Sequence, residues 1–227
     1  MDMDKNLLVE YVFMLGEASP SNLWDNRWWW NYEVNRNDTE PPALTNAHYL
    51  RHFLPNLKMI IILRNPVTRL YSDYLYTSLG KVSPTLFHAE VVKEINWFKN
   101  CSKYHDIRYC VYRNSFNEAN VKSVTRVQNG LYALYIADYM RLFPPEQFHV
   151  LRLEDYGRDK AIEMEKIFQF LNLGDVEVQY SNTRKNKGKR TKKAMLPETK
   201  ALLKEFYQPY NIHLAELLKE RKYLWLD

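Results

Sequence analysis

The stretch "LRNPVTRLYSDYLY", Leu63 to Tyr76, sets an arginine and an Asn-Pro pair directly after the apolar run "MIIIL". Five apolar residues bounded by polar ones suit a strand buried on both faces and are too few for a lone helix, although periodicity by itself does not separate the two. We read Lys58 to Leu63 as a central parallel strand. Asn65 caps the next element and Pro66 takes the first helical position, where its missing N–H costs nothing. Val67, Leu70, Tyr71, Tyr74 and Leu75 then recur at helical spacing as an apolar face, while Asn65, Arg69 and Ser72 share another stripe that can face a ligand. In an open α/β sheet, ligands gather beyond the carboxyl ends of the strands, and free N–H groups at a helix start suit anions. A phosphate is the natural guest. Arg64 would supply a charged fork, and Ser72, about 9 Å along the helix from Pro66, a neutral hydroxyl. Spacing alone leaves a second reading open, an ordinary surface arginine with a helix-facing serine.

Outside this stretch, 46% apolar and 15% aromatic content in 227 residues supports one substantial core, so residues 1–227 are read as a single domain and not as a disordered chain. The net charge of +5 is local: "RKNKGKRTKK", Arg184 to Lys193, holds seven basic residues and no acid. Such a block is a solvated loop or, where it borders a cleft, a contact for a phosphate-bearing nucleotide, a sulfated glycan or a nucleic acid. Two cysteines, Cys101 and Cys110, are too few for a disulfide-built scaffold or a structural zinc site, and their proximity permits a small bridged loop. Asn37 in "NDT" and Asn100 in "NCS" match the glycosylation pattern, which with the cysteines leans toward a secretory compartment. No apolar segment approaches membrane-spanning length; "LLVEYVFML" is short and interrupted by Glu10, so any membrane anchor is expected upstream.

Along the chain, Leu7 to Leu15 reads as the end of a helix or a strand, and "EASPSNLWDNRWWWNY" as an irregular aromatic-rich segment. "LTNAHYLRHFLPNL" is expected as a short helix. Ser83-Pro84 starts a helix with Phe87, Val91, Ile95 and Phe98 aligned, ending near Cys101, and Cys101 to Val127 is read as mostly loop. Leu131, Leu134, Tyr135, Tyr139 and Leu142 give a further helix, stopped by Pro144-Pro145. "FHVLRL" is a second buried strand ending in Glu154-Asp155. A helix through Met164, Ile167, Phe168 and Leu171 is closed by Gly174, and a last helical region from Pro197 to Leu224 is broken in two by Pro209. Alternating strands and helices imply a parallel α/β sheet, yet only two strands are legible. The sheet reads as incomplete.

These residues resemble the carbohydrate sulfotransferases that use 3'-phosphoadenylyl sulfate. In "LRNPVTRLYSDYLY", Arg64, Pro66, Arg69 and Ser72 fall on the family's 3'-phosphate motif; "GLYALYIADYMRLFPPEQFHVLRLEDY" is similar to its helix, Phe-Pro stop, strand and Glu-Asp sequence; "KGKRT" looks like its second nucleotide-contacting loop. "GEASPSNLWDN", the paired cysteines and "EFYQPYN" are most similar to the branch that sulfates the 6-hydroxyl of N-acetylgalactosamine 4-sulfate in chondroitin sulfate. The resemblance implies a P-loop-NTPase-like α/β fold, a parallel sheet flanked by helices, with the N-terminal strand and phosphate loop missing. Neither a "KxGTT" loop nor a glycine cluster occurs before Gly16, and no catalytic base is identified.

By that resemblance, Arg64 and Ser72 bind the 3'-phosphate, and Lys187, Gly188, Lys189, Arg190 and Thr191 wrap the nucleotide, with Gly188 allowing close backbone approach. Glu17 and Ser19 line the acceptor side or, equally, cap a helix. Trp24, Trp28, Trp29 and Trp30 either stack on sugars or pack the core, and packing is preferred. Glu154 and Asp155 are read as structural, capping a helix or pairing with an arginine. A Cys101–Cys110 disulfide and glycosylation at Asn37 and Asn100 are expected in a Golgi-lumenal enzyme whose partner is a sulfated glycosaminoglycan. The six histidines show no metal-ligand spacing, so no metal is expected, and no Walker-type loop, Ser-His-Asp set or nucleic-acid motif is present. The competing reading is a non-catalytic module that binds nucleotides or polyanions.

Overall fold

Two strands, β1 (Met59–Leu63) and β2 (Phe148–Arg152), pair in parallel with Leu63 opposite Arg152. They belong to a computed structural model that describes residues 15–19, 21–26, 29–35, 41–78, 82–113, 125–174 and 193–226. The helices before and after β1 are the turn α1 (Ser21–Trp24), α2 (Asn46–Phe53), α3 (Pro66–Thr77), α4 (Pro84–Tyr104) and α5 (Ile107–Arg113). α6 (Tyr132–Met140) precedes β2, and α7 (Leu153–Arg158), α8 (Lys160–Leu171) and α9 (Pro197–Leu217) follow it.

The periodic faces decide the packing. Val67, Leu70 and Tyr74 of α3 meet Phe87, Val91, Ile95 and Phe98 of α4 and Leu203, Phe206 and Tyr207 of α9 in the largest core cluster. Each such side chain contributes roughly 1.5–3 kcal/mol relative to exposure. Gly130 lies so close to Tyr207 that a Cβ there would stand 2.7 Å from its ring, which explains a glycine before α6. Beneath it, Leu63 and Ile61 of β1 pack with Ile136 of α6 and Leu214 of α9. This seats the carboxyl end of the strand pair against α6.

Several expectations change. Ile60 and Ile62 are 39% and 52% exposed and β1 pairs only with β2 among the described residues, so β1 is not buried on both faces. The helices cover the side of Ile61 and Leu63. Cys101 to Val127 is not mostly loop up to residue 113: α4 runs on to Tyr104, and α5 follows, its start fixed by Asp106, which accepts from Arg108 N at 2.7 Å. α5 buries Cys110, Val111 and Tyr112, three neighbours in sequence, so it carries no spaced apolar signature. Arg108 donates twice to Asp138 Oδ2, at 3.0 and 2.8 Å, and Tyr112 donates to the same oxygen at 2.6 Å, clamping α5 to α6.

α9 is continuous through Pro209 instead of breaking. Pro209 and Glu205 lie on its exposed face, where the carbonyl that loses its N–H partner turns to water, while Leu203, Phe206, Tyr207 and Leu214 hold both halves in the core. α8 is closed by Asn172 in the left-handed region, φ 60°, ahead of Gly174. Leu7 to Met14 lies outside the described residues.

Candidate functional site

The carboxyl end of β1 is held from three sides. Tyr132 of α6 donates to the Arg64 carbonyl at 2.9 Å, and the Asn65 N–H donates to Glu154 Oε1, also at 2.9 Å. Asn65 then caps α3, its Oδ1 accepting from Val67 N at 3.0 Å and from Thr68 N at 3.4 Å. Burial above all pushes the Tyr132 hydroxyl up to about 12; Arg69 opposes this and Glu154 adds to it. It therefore stays a donor at neutral pH.

This geometry alters the expected anion site. The first-turn N–H groups of Val67 and Thr68 are spent on their own cap, so a phosphate here must be gripped by side chains. Arg64 is half-buried and its Nε donates to Thr68 Oγ1 at 3.1 Å, which fixes the guanidinium at the head of α3. Ser72 is half-buried, and its hydroxyl makes no hydrogen bond among the described residues. Glu154 Oε2 is buried without a hydrogen-bond partner among the described residues.

Arg69 departs from the stripe assigned to it. It turns inward, donating to the Arg126 carbonyl at 2.8 Å and pairing with Asp73 at 3.5 Å, while Arg126 pairs with Asp73 at 3.0 Å. Burial opposes its charge, but the Tyr132 and Tyr207 oxygens and Asp73 outweigh that, and the group is held more firmly protonated than usual. Arg69 is part of the framework that fixes α3. Sequence reasoning missed Tyr132, Asp73 and Arg126. Only the closeness of Arg69 and Asp73, four apart on one helix, signalled any of this beforehand.

Lys187, Gly188, Lys189, Arg190 and Thr191 lie outside the described residues, as do Asn37 and Trp28. The chain is described again from Lys193, whose carbonyl accepts from the Tyr71 hydroxyl at 2.7 Å and whose Nζ donates to the Val82 carbonyl at 2.9 Å. Glu17 is exposed and accepts from Asn22 Nδ2 at 2.7 Å, and Ser19 shares a 2.7 Å hydrogen bond with Ser21. Both serve the α1 turn. Trp29 is 4% exposed with its ring edge against Tyr109, and Trp24 packs on the main core.

At β2, Asp155 accepts two hydrogen bonds from Arg152, at 2.9 and 2.8 Å, and one from Arg158 at 2.6 Å. Cys101 and Cys110 form a disulfide between α4 and α5 with Cα atoms 5.8 Å apart. Asn100 is exposed beside it on α4. Among the described residues no group of three or more His, Cys, Asp or Glu could hold a metal ion, and no helix is long and apolar enough to cross a membrane.

Carbohydrate sulfotransferase 15 of Mus musculus is 41% identical over 221 residues, 93% of this chain and 38% of that protein, and its Homo sapiens counterpart is 39% identical over 223 residues, 94% of this chain and 39% of that protein. The chain thus spans about two fifths of the length of these curated relatives. A crystal structure of a sulfotransferase from Alicyclobacillus acidocaldarius shares the fold with a TM-score of 0.52 at 24% identity, covering 78% of this chain and 60% of that one. The family described as "Sulfotransferase domain" matches residues 29–209, and the chain belongs to that sulfotransferase-domain family.

Proposed function

We propose that this chain is the nucleotide-holding part of a glycosaminoglycan sulfotransferase, which moves a sulfuryl group from 3'-phosphoadenylyl sulfate to a sugar hydroxyl, the 6-hydroxyl of N-acetylgalactosamine 4-sulfate in chondroitin sulfate. The observation that carries the reading is the Tyr71 to Lys193 hydrogen bond. It ties Lys193, the last residue of the basic block, to the residue next to Ser72. The described chain thus resumes after the basic block beside α3, the helix that carries Ser72.

The donor set suits the phosphate end of a nucleotide. Arg64 supplies a charged fork, Ser72 a hydroxyl open to a new partner, and the loop Lys187 to Thr191 further cations. When bound, 3'-phosphoadenylyl sulfate supplies the sulfuryl group; these residues hold and orient its far end. Glu154 holds the Asn65 backbone and Tyr132 the Arg64 carbonyl, so the head of α3 is set before any ligand arrives. Relatives named carbohydrate sulfotransferase support a carbohydrate acceptor, and the resemblance of the motifs is what suggests the donor, the chondroitin acceptor and a Golgi-lumenal setting.

A second reading is a module that binds nucleotides or polyanions without catalysis, and the feature that bears on it is the basic block Arg184 to Lys193, whose charge suits a polyanion whether or not a reaction follows. Interactions that strengthen in the transition state accelerate transfer, whereas grip on the nucleotide's far end does not. We expect this chain alone to bind adenosine 3',5'-bisphosphate and to transfer no radiolabelled sulfate to chondroitin 4-sulfate at a useful rate, and a version extended by its natural upstream sequence to transfer it. Full activity in the short chain would misplace the catalytic groups, and inactivity in the extended one would favour the binding module.

A further inference from the structure

At the far end of α4, its last two turns and α5 border an open hollow of about 230 Å³. Besides Cys101 it is lined by Trp97, Asn100, Tyr104, His105, Tyr109 and Arg113. None of these belongs to α3. His105 stacks on Tyr109 with ring centroids 4.6 Å apart, and the Arg113 guanidinium lies 5.4 Å from the centroid of the same ring while donating to its hydroxyl. Tyr104 is left 77% exposed. The Cys101–Cys110 bridge holds the α4 rings opposite the α5 rings, so the hollow is built before a ligand arrives.

The lining has a definite chemistry. Among the described residues it offers flat aromatic faces, one guanidinium, one imidazole and one carboxamide, and no carboxylate. Lys99 and Lys103 are exposed on the same helix, and the nearby carboxylate of Asp106 accepts from Arg108 N at the start of α5. Aromatic faces suit the C–H face of a pyranose, the carboxamide suits hydroxyls, and a guanidinium fork suits a carboxylate or sulfate. Pockets for drug-sized ligands run to roughly 300–1,000 Å³, so this hollow suits a single ring.

We infer that the α4–α5 hollow is a carbohydrate-binding site for one sulfated or carboxylated sugar of a glycosaminoglycan, separate from the nucleotide-holding head of α3. Glycosaminoglycan as the source of that sugar rests on the proposed function; the hollow and its charge do not. The site gives a polymeric acceptor a second grip, with Arg113 reading the acidic group and Tyr104 the ring.

Asn100 itself heads a glycosylation triplet, so the test is run on the full chain carrying Ser102→Ala, which removes the triplet and keeps the Asn100 carboxamide. Calorimetric titration with a chondroitin 4-sulfate hexasaccharide is expected to show about tenfold weaker binding in both Tyr104→Ala and Arg113→Ala, with unchanged melting temperatures because both side chains are exposed. The desulfated hexasaccharide should bind more weakly than the sulfated one to the parent, and Arg113→Ala should abolish that difference. Arg64→Ala should keep hexasaccharide affinity while losing adenosine 3',5'-bisphosphate, which reads the nucleotide site separately. Parent-like hexasaccharide affinity in Tyr104→Ala and Arg113→Ala, no binding by the parent at millimolar concentration, or a loss confined to Arg64→Ala would each overturn the inference.

Discussion

The two parallel strands both deliver an arginine to the same end of the sheet, and the turns that follow them offer the two arginines different partners. At β2, Arg152 meets Asp155 three residues later, makes two hydrogen bonds to it and donates a third to the Lys222 carbonyl at 2.8 Å. At β1, the helix that follows Arg64 opens with Asn65, Pro66, Val67 and Thr68 and brings no carboxylate in its first turn. Its Nε takes a neutral hydroxyl of Thr68 instead. The acids after β2 serve the fold: Asp155 holds the neighbouring arginine, and Glu154 reaches across to accept from the Asn65 backbone. Arg152 is bound to an acid of the turn that follows it, whereas the first turn after Arg64 carries no acid. The same distinction separates Arg64 from Arg69, whose charge is met within one turn by Asp73.

Removing each arginine would sharpen that contrast. Arg152→Ala leaves Asp155, 8% exposed, with the more exposed Arg158 as its hydrogen-bonded arginine and opens the tie to the C-terminal turn. The expected loss is about 3 kcal/mol by chemical denaturation, the low end for breaking a buried pair, with nucleotide affinity per folded molecule unchanged. Arg64→Ala should do the reverse. A charged hydrogen bond contributes roughly 1.5–3 kcal/mol and a neutral one about 1, so Arg64→Ala should weaken adenosine 3',5'-bisphosphate binding by tenfold or more and Ser72→Ala by about fivefold, with stability retained in both. Equal, negligible losses in the titration would remove the phosphate-site reading and leave Arg64 as an ordinary surface residue.

What sequence could show here follows contact range. α3, α4 and α6 were legible because each keeps its apolar face at helical spacing, and the Asn65 cap because its bonds span two and three residues. α5 was not, since its burial rests on a disulfide nine residues long and on an Arg108 to Asp138 pair 30 residues apart. Pro209 misled because a local rule for an isolated helix was overruled by core contacts on both sides of it. At the site, Arg64 stood out from its own neighbours, but the inward turn of Arg69 depends on Arg126, 57 residues away, and the seating of Asn65 on Glu154, 89 residues away. No spacing rule reaches that far.

The smallest effect tests the β2 side of the comparison through pH. Hydrogen bonds from Arg152, foremost, hold the Asp155 carboxyl below its ordinary value of 3.8, against the opposing pull of burial and with help from the charges of Arg152, Arg158 and Lys222. A carboxyl lowered in the folded state contributes stability that is fully present above its unfolded value and is lost as pH falls through the lower folded one. Asp155→Asn keeps the shape and one acceptor oxygen but removes the charge. At pH 7 the variant should therefore be less stable by roughly 1 kcal/mol, since the arginines keep part of their hydrogen bonding. Below about pH 4 the parent should lose stability faster than the variant, and the two denaturation midpoints should converge as the parent's carboxyl takes up its proton. A gap that stays constant from pH 7 down to about pH 2 would mean that Asp155 acts through packing alone, and that the charge balance drawn between the two strand ends is wrong at β2.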